Sequence, residues 1–163
     1  MRSSTVIGHD LGSAVATLGD ELASQDSATF GLTVEGTPRK VHPILRDEIY
    51  RIAREAVRNA FRHAQARRIE AEITYGDKLF RLRIRDDGKG IDPGIVEEGL
   101  RGHYGLTGMR ERATQIGAQL NIWSGTGAGT EIELSIPGTI AYGTPPARTR
   151  WRRLLPARAK EES

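Results

Sequence analysis

Residues 43–64, PILRDEIYRIAREAVRNAFRHA, hold Leu45, Ile49, Ile52, Ala53, Ala56, Val57 and Ala60 at helical spacing. One long helix therefore presents a continuous apolar stripe, and that stripe has to be covered. Pro43 suits its first turn, where a missing N–H is no loss. Two pairs of segments with period-two alternation offer the cover. RIEAEITYG and LFRLRIRD meet at GDK, and QLNIWS and EIELSIP meet at GTGAGT. Each pair reads as a β-hairpin. TFGLTVE, residues 29–35, alternates in the same way. LTGMRERATQIGAQL reads as a second amphipathic helix, opened by a glycine-rich loop, and residues 93–99 as a short one. Residues 9–24 place Leu11, Val15, Leu18 and Leu22 on one helical side, as the end of a longer element. Antiparallel hairpins with helices between them predict an α+β fold. It is a two-layer sandwich, with a mixed, mostly antiparallel sheet and helices packed on one face.

With 163 residues, the chain suits one compact domain with modest extensions. There is no cysteine, which removes disulfides and cysteine-built metal sites. No run approaches the roughly 18 apolar residues of a membrane span, and His9 and Asp10 interrupt what would be a signal peptide. The net charge of +3 is unevenly placed. Residues 1–138 hold 18 Lys and Arg against 19 Asp and Glu, whereas residues 139–163 hold 6 against 2. The basic character therefore belongs to the end of the chain, and specific nucleic-acid binding loses its support. Residues 139–163, rich in Pro and Arg, are expected to form a disordered basic tail. Trp151, Leu154 and Leu155 among its arginines leave a lipid-headgroup or partner-binding patch open.

Four stretches carry chemistry. On the long helix, Glu55, Asn59 and Arg62 fall in a narrow arc at the edge of the stripe, and His63 lies nearer its centre. An Asn amide oxygen suits Mg²⁺, Arg and His suit phosphate, and a carboxylate one turn back suits proton transfer. Alone, such an edge more often is solvated, with Glu55 paired to Arg58 or Asn59. In RIRDDGKGID a strand ends at Asp86 and Gly88 and Gly90 follow. A carboxylate there can accept from an exocyclic amine, and DDG is equally a common turn. In RGHYGLTGMRERA, Gly102, Gly105 and Gly108 precede or open a helix, an arrangement that binds anions. It is neither a Walker loop nor a dinucleotide fingerprint. In GTGAGTEIELSIP, Thr130 opens the last strand, where its hydroxyl can reach a carboxylate such as Asp86, directly or through water. A β-branched residue after a hairpin turn is the plain alternative.

The order of the four is more specific than any one of them. ExxxN on a helix, DxGxG after a strand, GLxGM opening a helix and GxGT entering a strand fall within about 80 residues. That set resembles the ATP-binding domain shared by sensor histidine kinases, DNA gyrase, mismatch-repair ATPases and the large heat-shock chaperones, the GHKL or Bergerat fold. Within it, NAFRHA (59–64) and GLTGMRER (105–112) resemble the short-lid histidine kinase subgroup with NxxxHA and GxxGMRER boxes. The resemblance covers roughly residues 28–138.

It implies an ATP-dependent histidine protein kinase domain. Asn59 takes the place of the Mg²⁺ ligand and Glu55 that of the catalytic carboxylate. Arg62 and His63 fall at positions near the phosphates or ribose. Asp86 falls at the adenine-binding position, with Gly88 and Gly90 shaping the floor and Asp87 structural. Gly105, Leu106 and Gly108 match the second glycine box, and Thr130 the adenine network. The lid corresponds to residues 91–104, ending at His103 and Tyr104.

The resemblance also implies partners. The γ-phosphate goes to a histidine on a phosphoacceptor helical hairpin of the same or a parent protein, and a response regulator acts downstream. The full-length kinase is expected as a homodimer, this domain alone as a monomer. Its place is the cytoplasm, as the cytoplasmic part of a membrane-bound sensor. His9, followed by Asp10, is not expected to be the acceptor, because too little chain precedes it for a two-helix bundle. Residues 1–27 are then expected as the helical end of a preceding dimerisation region. A GHKL-type ATPase, an anti-sigma-type protein kinase and a non-catalytic nucleotide sensor are the alternatives.

Overall fold

The computed structural model describes residues 10–91 and 105–143. In chain order the elements are α1 (Leu11–Ala23), β1 (Thr29–Glu35), α2 (Pro43–His63), β2 (Arg68–Tyr75), β3 (Leu79–Asp86), α3 (Leu106–Gln115), β4 (Gln119–Gly125), β5 (Gly129–Pro137) and α4 (Gly138–Ala141). The strands form one sheet in the order β1-β2-β3-β5-β4. β1 and β2 pair parallel, with α2 as the crossover between them, and the other pairings are antiparallel. The fold is the mixed α+β sheet that the alternation predicts.

Register explains the inner face. Ala71, Ile73 and Tyr75 of β2 pair with Ile84, Leu82 and Phe80 of β3. Those three in turn pair with Ile132, Leu134 and Ile136 of β5. Because side chains alternate across a strand, these rows stack on one face. All but Tyr75 are buried there. The stripe of α2 meets that layer, with Leu45, Ile49, Ile52, Ala53, Ala56 and Val57 in the same cluster. Burial of a large aliphatic side chain contributes about 1.5–3 kcal/mol, so this contact dominates the core.

The opposite face is a lattice of charge. Arg83 bonds Glu72 and lies 3.6 Å from Glu131. Arg81 lies 3.6 Å from Glu133, and Arg85 bonds Glu70 at 3.1 Å. Partly exposed pairs of this kind each contribute at most about 1 kcal/mol. Their main effect is to keep this face wet.

Both long helices begin as their sequences suggest. Pro43 opens α2, and the Ile44 N–H donates to His42 Nδ1. Asp10 caps α1, accepting from the Gly12 N–H and the Ser13 hydroxyl. Leu11, Val15 and Leu18 of α1 join the main core cluster. Gly19 lets α1 lie against the Phe30 ring of β1. The segment expected to belong to a preceding region thus closes one side of this sheet.

Two boundaries differ from the sequence reading. α3 stops at Gln115, where 106–120 reads as one amphipathic run. Gly117 adopts φ +78°, and the Ala118 N–H turns back to the Ala113 carbonyl, which ends the helix and frees Gln119 for β4. Beyond β5, residues 138–143 pack rather than trail away. Ala141 is buried, and Arg39 stacks 3.9 Å over the Tyr142 ring. His9, the 93–99 helix, most of the lid with His103 and Tyr104, and residues 144–163 lie outside the described residues.

Leu18 tests whether α1 is integral to this core. Leu18→Ala should lower the unfolding free energy by about 2–5 kcal/mol in urea denaturation. A loss under about 0.5 kcal/mol would place α1 off the core.

Candidate functional site

β3 ends at Asp86, which its alternation directs to the inner, helix-covered side. Its carboxylate is one of only two buried charged groups among the described residues. The Gly88 N–H donates to Asp86 Oδ1 at 2.8 Å. Burial pushes the Asp86 carboxyl above its ordinary range, and backbone bonds from Gly88 and Thr130 oppose that only in part. The next residue behaves otherwise. Asp87 Oδ1 accepts from the Arg67 and Arg68 N–H groups at 2.8 and 3.0 Å, and these hold its carboxyl below the usual value. Asp87 staples the loop to the start of β2, the structural part expected of it.

The loop after Asp86 is clamped on both sides. The Lys89 N–H donates to the Ala64 carbonyl at the end of α2, and the Lys89 carbonyl accepts from the Gly127 N–H of the β4–β5 turn. Between them Gly90 takes φ +80°, with a Cβ position 2.1 Å from the Gly125 carbonyl oxygen. A side chain there would break the junction of loop and hairpin.

Thr130 stands opposite Asp86 in the β3–β5 ladder. Its hydroxyl, expected to reach Asp86 directly or through water, lies 2.8 Å from Ser124 Oγ. Ser124 also contacts the Gly129 carbonyl at 3.1 Å and accepts from the Ile91 N–H. Ser124 therefore joins both strands of the hairpin to the loop that follows β3. The sequence reading missed it, since one serine in a strand carries no motif. Its only signal is the register that puts it across from Thr130.

α2 supplies the facing wall. Asn59 and His63 share one cavity with Asp86, Gly90, Leu106 and Thr130, with Ile84, Ile91, Ile132 and alanines of α2 as its apolar lining. The enclosed part is about 30 Å³, room for one water. Arg62 is exposed and lines neither this cavity nor its neighbour. Gly88, expected to shape the floor, donates to Asp86 and does not line this cavity.

Glu55 lies outside this cavity. It lines an adjoining groove of about 610 Å³ between α2 and α3, with Gly105, Gly108, Met109 and Arg112. Gly105 caps α3 with φ +66°, and its Cβ position falls 2.8 Å from Glu55 Oε2. The missing side chain lets the carboxylate press against the start of α3. No side chain caps α3.

The site thus joins a buried carboxylate, an amide and an imidazole on one side of Leu106 to a carboxylate and a glycine-opened helix on the other. Comparison with known proteins gives this arrangement a family. Residues 45–140 match the model of the histidine kinase-, DNA gyrase B- and HSP90-like ATPases. The chain belongs to this family.

Sensor protein VraS of Staphylococcus aureus is 41% identical over 98 residues, which is 60% of this chain and 27% of that protein. VraS of Staphylococcus haemolyticus is 40% identical over the same shares. The chain thus spans about a quarter of the length of these curated relatives. The histidine kinase domain of the Erythrobacter litoralis EL346 blue-light activated histidine kinase superposes with a TM-score of 0.65 at 22% identity. That superposition covers 81% of this chain and 67% of the other. The catalytic domain of histidine kinase ThkA gives 0.63 at 17% identity, over 79% and 90%. These superpositions show that the fold is that of histidine kinase catalytic domains, of the histidine kinase-like ATPase family.

Two substitutions probe this geometry. In Gly105→Ala, a non-glycine residue at positive φ costs about 1–3 kcal/mol, and the methyl also meets Glu55. The unfolding free energy should fall by that amount in urea denaturation. Asp86→Asn keeps an acceptor for the Gly88 N–H without the buried charge. A carboxyl raised in the folded state contributes stability that is present below its unfolded value and lost as pH rises through its folded value. Thermal unfolding between about pH 3.5 and 7 should therefore show a smaller loss of stability with rising pH in Asp86→Asn than in the parent chain.

Proposed function

We propose that this chain binds Mg-ATP and donates the γ-phosphate to a histidine on a phosphoacceptor helical hairpin, as the catalytic domain of a sensor histidine kinase. The observation that carries the proposal is Asp86. It is a buried, desolvated carboxylate in an apolar-lined cavity shared with Asn59, His63 and Thr130. Such a group is costly unless a ligand repays it, and an adenine amine is a donor of the right kind.

Each residue then has a task. Asp86 accepts from the exocyclic amine, while Ile84, Ile91 and Ile132 sandwich the ring. The cavity is narrow, so adenine entry displaces the wall formed by Ile91. Thr130, held by Ser124, borders the ring edge, and Gly88 and Gly90 keep the floor low. Asn59 offers its amide oxygen to Mg²⁺, an ion that takes few protein ligands and keeps its waters. When bound, the ion neutralises phosphate charge. No cluster of three acidic or imidazole ligands stands among the described residues, and a substrate-bridged ion needs none. His63 and Arg62, in the last turn of α2, lie toward the phosphates. Leu106 and the uncapped start of α3 with Gly105 and Gly108 receive the γ-phosphate.

The transfer is largely a matter of positioning. A bond forms between an imidazole nitrogen of the acceptor and the γ-phosphorus. The bond from that phosphorus to the β–γ bridging oxygen breaks, and ADP leaves with its electron pair. Glu55, in the open groove beyond Gly105, aligns the acceptor imidazole and takes its proton. The phosphoryl group then passes to a response regulator. The parent is read as a homodimer, with this domain on the cytoplasmic side of a membrane-bound sensor. No described helix is long and apolar enough to cross a membrane.

Calorimetry with Mg-ATP on the full chain tests the pocket. Asp86→Asn should weaken binding by about tenfold or more, the loss of a charge-assisted bond, and Asn59→Ala should remove its Mg²⁺ dependence. Undiminished affinity in Asp86→Asn would overturn the adenine assignment. With a phosphoacceptor domain supplied in trans, label from γ-labelled ATP should reach its histidine and be lost in Glu55→Gln. Hydrolysis without transfer would favour the ATPase reading.

A further inference from the structure

Glu48 is the second buried charged residue among those described, 6% exposed. Unlike Asp86, it lies in no cavity described here. Its Oε1 accepts from Arg112 Nη1 at 2.8 Å, across the contact between α2 and α3. Glu48 is buried but the Arg112 side chain is 36% exposed, so the pair sits at the edge of the core and is a modest source of stability, because desolvation of the carboxylate offsets much of the attraction. What it does well is choose one arrangement among several.

The arrangement chosen is legible in the spacing. Glu48 precedes Glu55 by seven residues on α2, and Arg112 follows Gly105 by seven on α3. At about 1.5 Å per residue, both spans are about 10 Å. Two contacts of equal span in opposite chain directions define antiparallel helices in a single register. At one contact Arg112 meets Glu48, and at the other Gly105 meets Glu55. Ile49, Ile52, Met109 and Ala113 belong to the apolar core that joins these helices, and the charged pair adds a directional preference that burial of aliphatic surface lacks. A slip of one turn would carry Gly105 about 5.4 Å past Glu55.

We propose that the Glu48–Arg112 pair is a register pin, a positioning device that holds the opening of α3 against Glu55 for phosphoryl transfer. The proposal rests on the kinase reading above. Glu48 lines neither the cavity nor the groove, and Arg112 borders the groove while its guanidinium is held by Glu48. They set the distance between the loop that receives the γ-phosphate and the carboxylate that faces the acceptor. Small errors in that distance have large consequences for rate and small ones for ground-state binding.

The test uses the full chain with a phosphoacceptor domain in trans, and reads kcat, KM for ATP, ADP affinity and Tm together. Glu48→Gln and Arg112→Met should each lower kcat about tenfold or more. KM for ATP and ADP affinity should stay within about twofold. Arg112→Lys, which keeps the charge, should retain kcat within about threefold. Leu18→Ala, on the far side of the core, should lower Tm and leave kcat unchanged. A kcat that survives in Glu48→Gln, or falls in Leu18→Ala as much as in Glu48→Gln, overturns the pin. So does a loss confined to KM. Should Glu48→Gln not fold, the comparison of Arg112→Lys with Arg112→Met decides. The underlying reading fails separately. Absence of Asp86-dependent nucleotide binding removes the pocket and the pin together. Asp86-dependent binding without transfer by the parent chain overturns the pin and the kinase reading, and leaves the pocket standing.

Discussion

The apolar stripe of α2, pressed on the inner rows of β2, β3 and β5, is the contact on which everything else depends. It buries Leu45, Ile49, Ile52 and Val57 against Ile73, Leu82, Ile84, Ile132 and Leu134. Because those rows are locked by cross-strand register, the helix can sit on the sheet in one rotation only. That rotation carries Asn59 and His63 to one cavity edge, Glu55 to the groove beside it and Glu48 to the seam with α3. A helix that buries its stripe has no further freedom in where its polar edge points. The placement of this polar row is therefore a by-product of core packing.

The treatment of charge divides the molecule. On the outer face of the sheet, arginines and glutamates are paired with each other and are accessible to water. On the inner side only Asp86 and Glu48 are buried among the described charged residues, and they are satisfied differently. Burial pushes the Asp86 carboxyl up, and its backbone donors offset that only in part. Glu48 has a guanidinium of its own. The first lines a cavity and the second sits at a helix–helix seam.

Much of the fold was legible because its signals are periodic and local. The hairpin turns at residues 76–78 and 126–128 fall where the alternation breaks, and β1 matches TFGLTVE in full. What escaped was non-local. The end of α3 depends on Gly117 adopting positive φ, which a continuous amphipathic pattern conceals. The packing of Ala141 and Tyr142 depends on Arg39, about a hundred residues earlier, while the composition around them points to a tail. Ser124 matters through its partners Gly129 and Thr130 across the hairpin turn and Ile91 on the loop after β3, contacts that residue type alone does not reveal.

By itself the sequence determined the element types, the mixed sheet and the ordered boxes around Glu55, Asn59, Asp86, Gly105 and Thr130. Residue type and spacing are enough for these, since helix and strand periods are properties of the local chain. Only the tertiary structure decided which of those residues share a space. It put Asn59, His63, Asp86 and Thr130 around one cavity, moved Glu55 to the far side of Gly105, left Arg62 in solvent and turned the Thr130 hydroxyl to Ser124. It also joined Glu48 to Arg112 across 64 residues. Such distances are set by how α2 rotates on the sheet and how α3 registers on α2, and both depend on contacts between residues far apart in the chain.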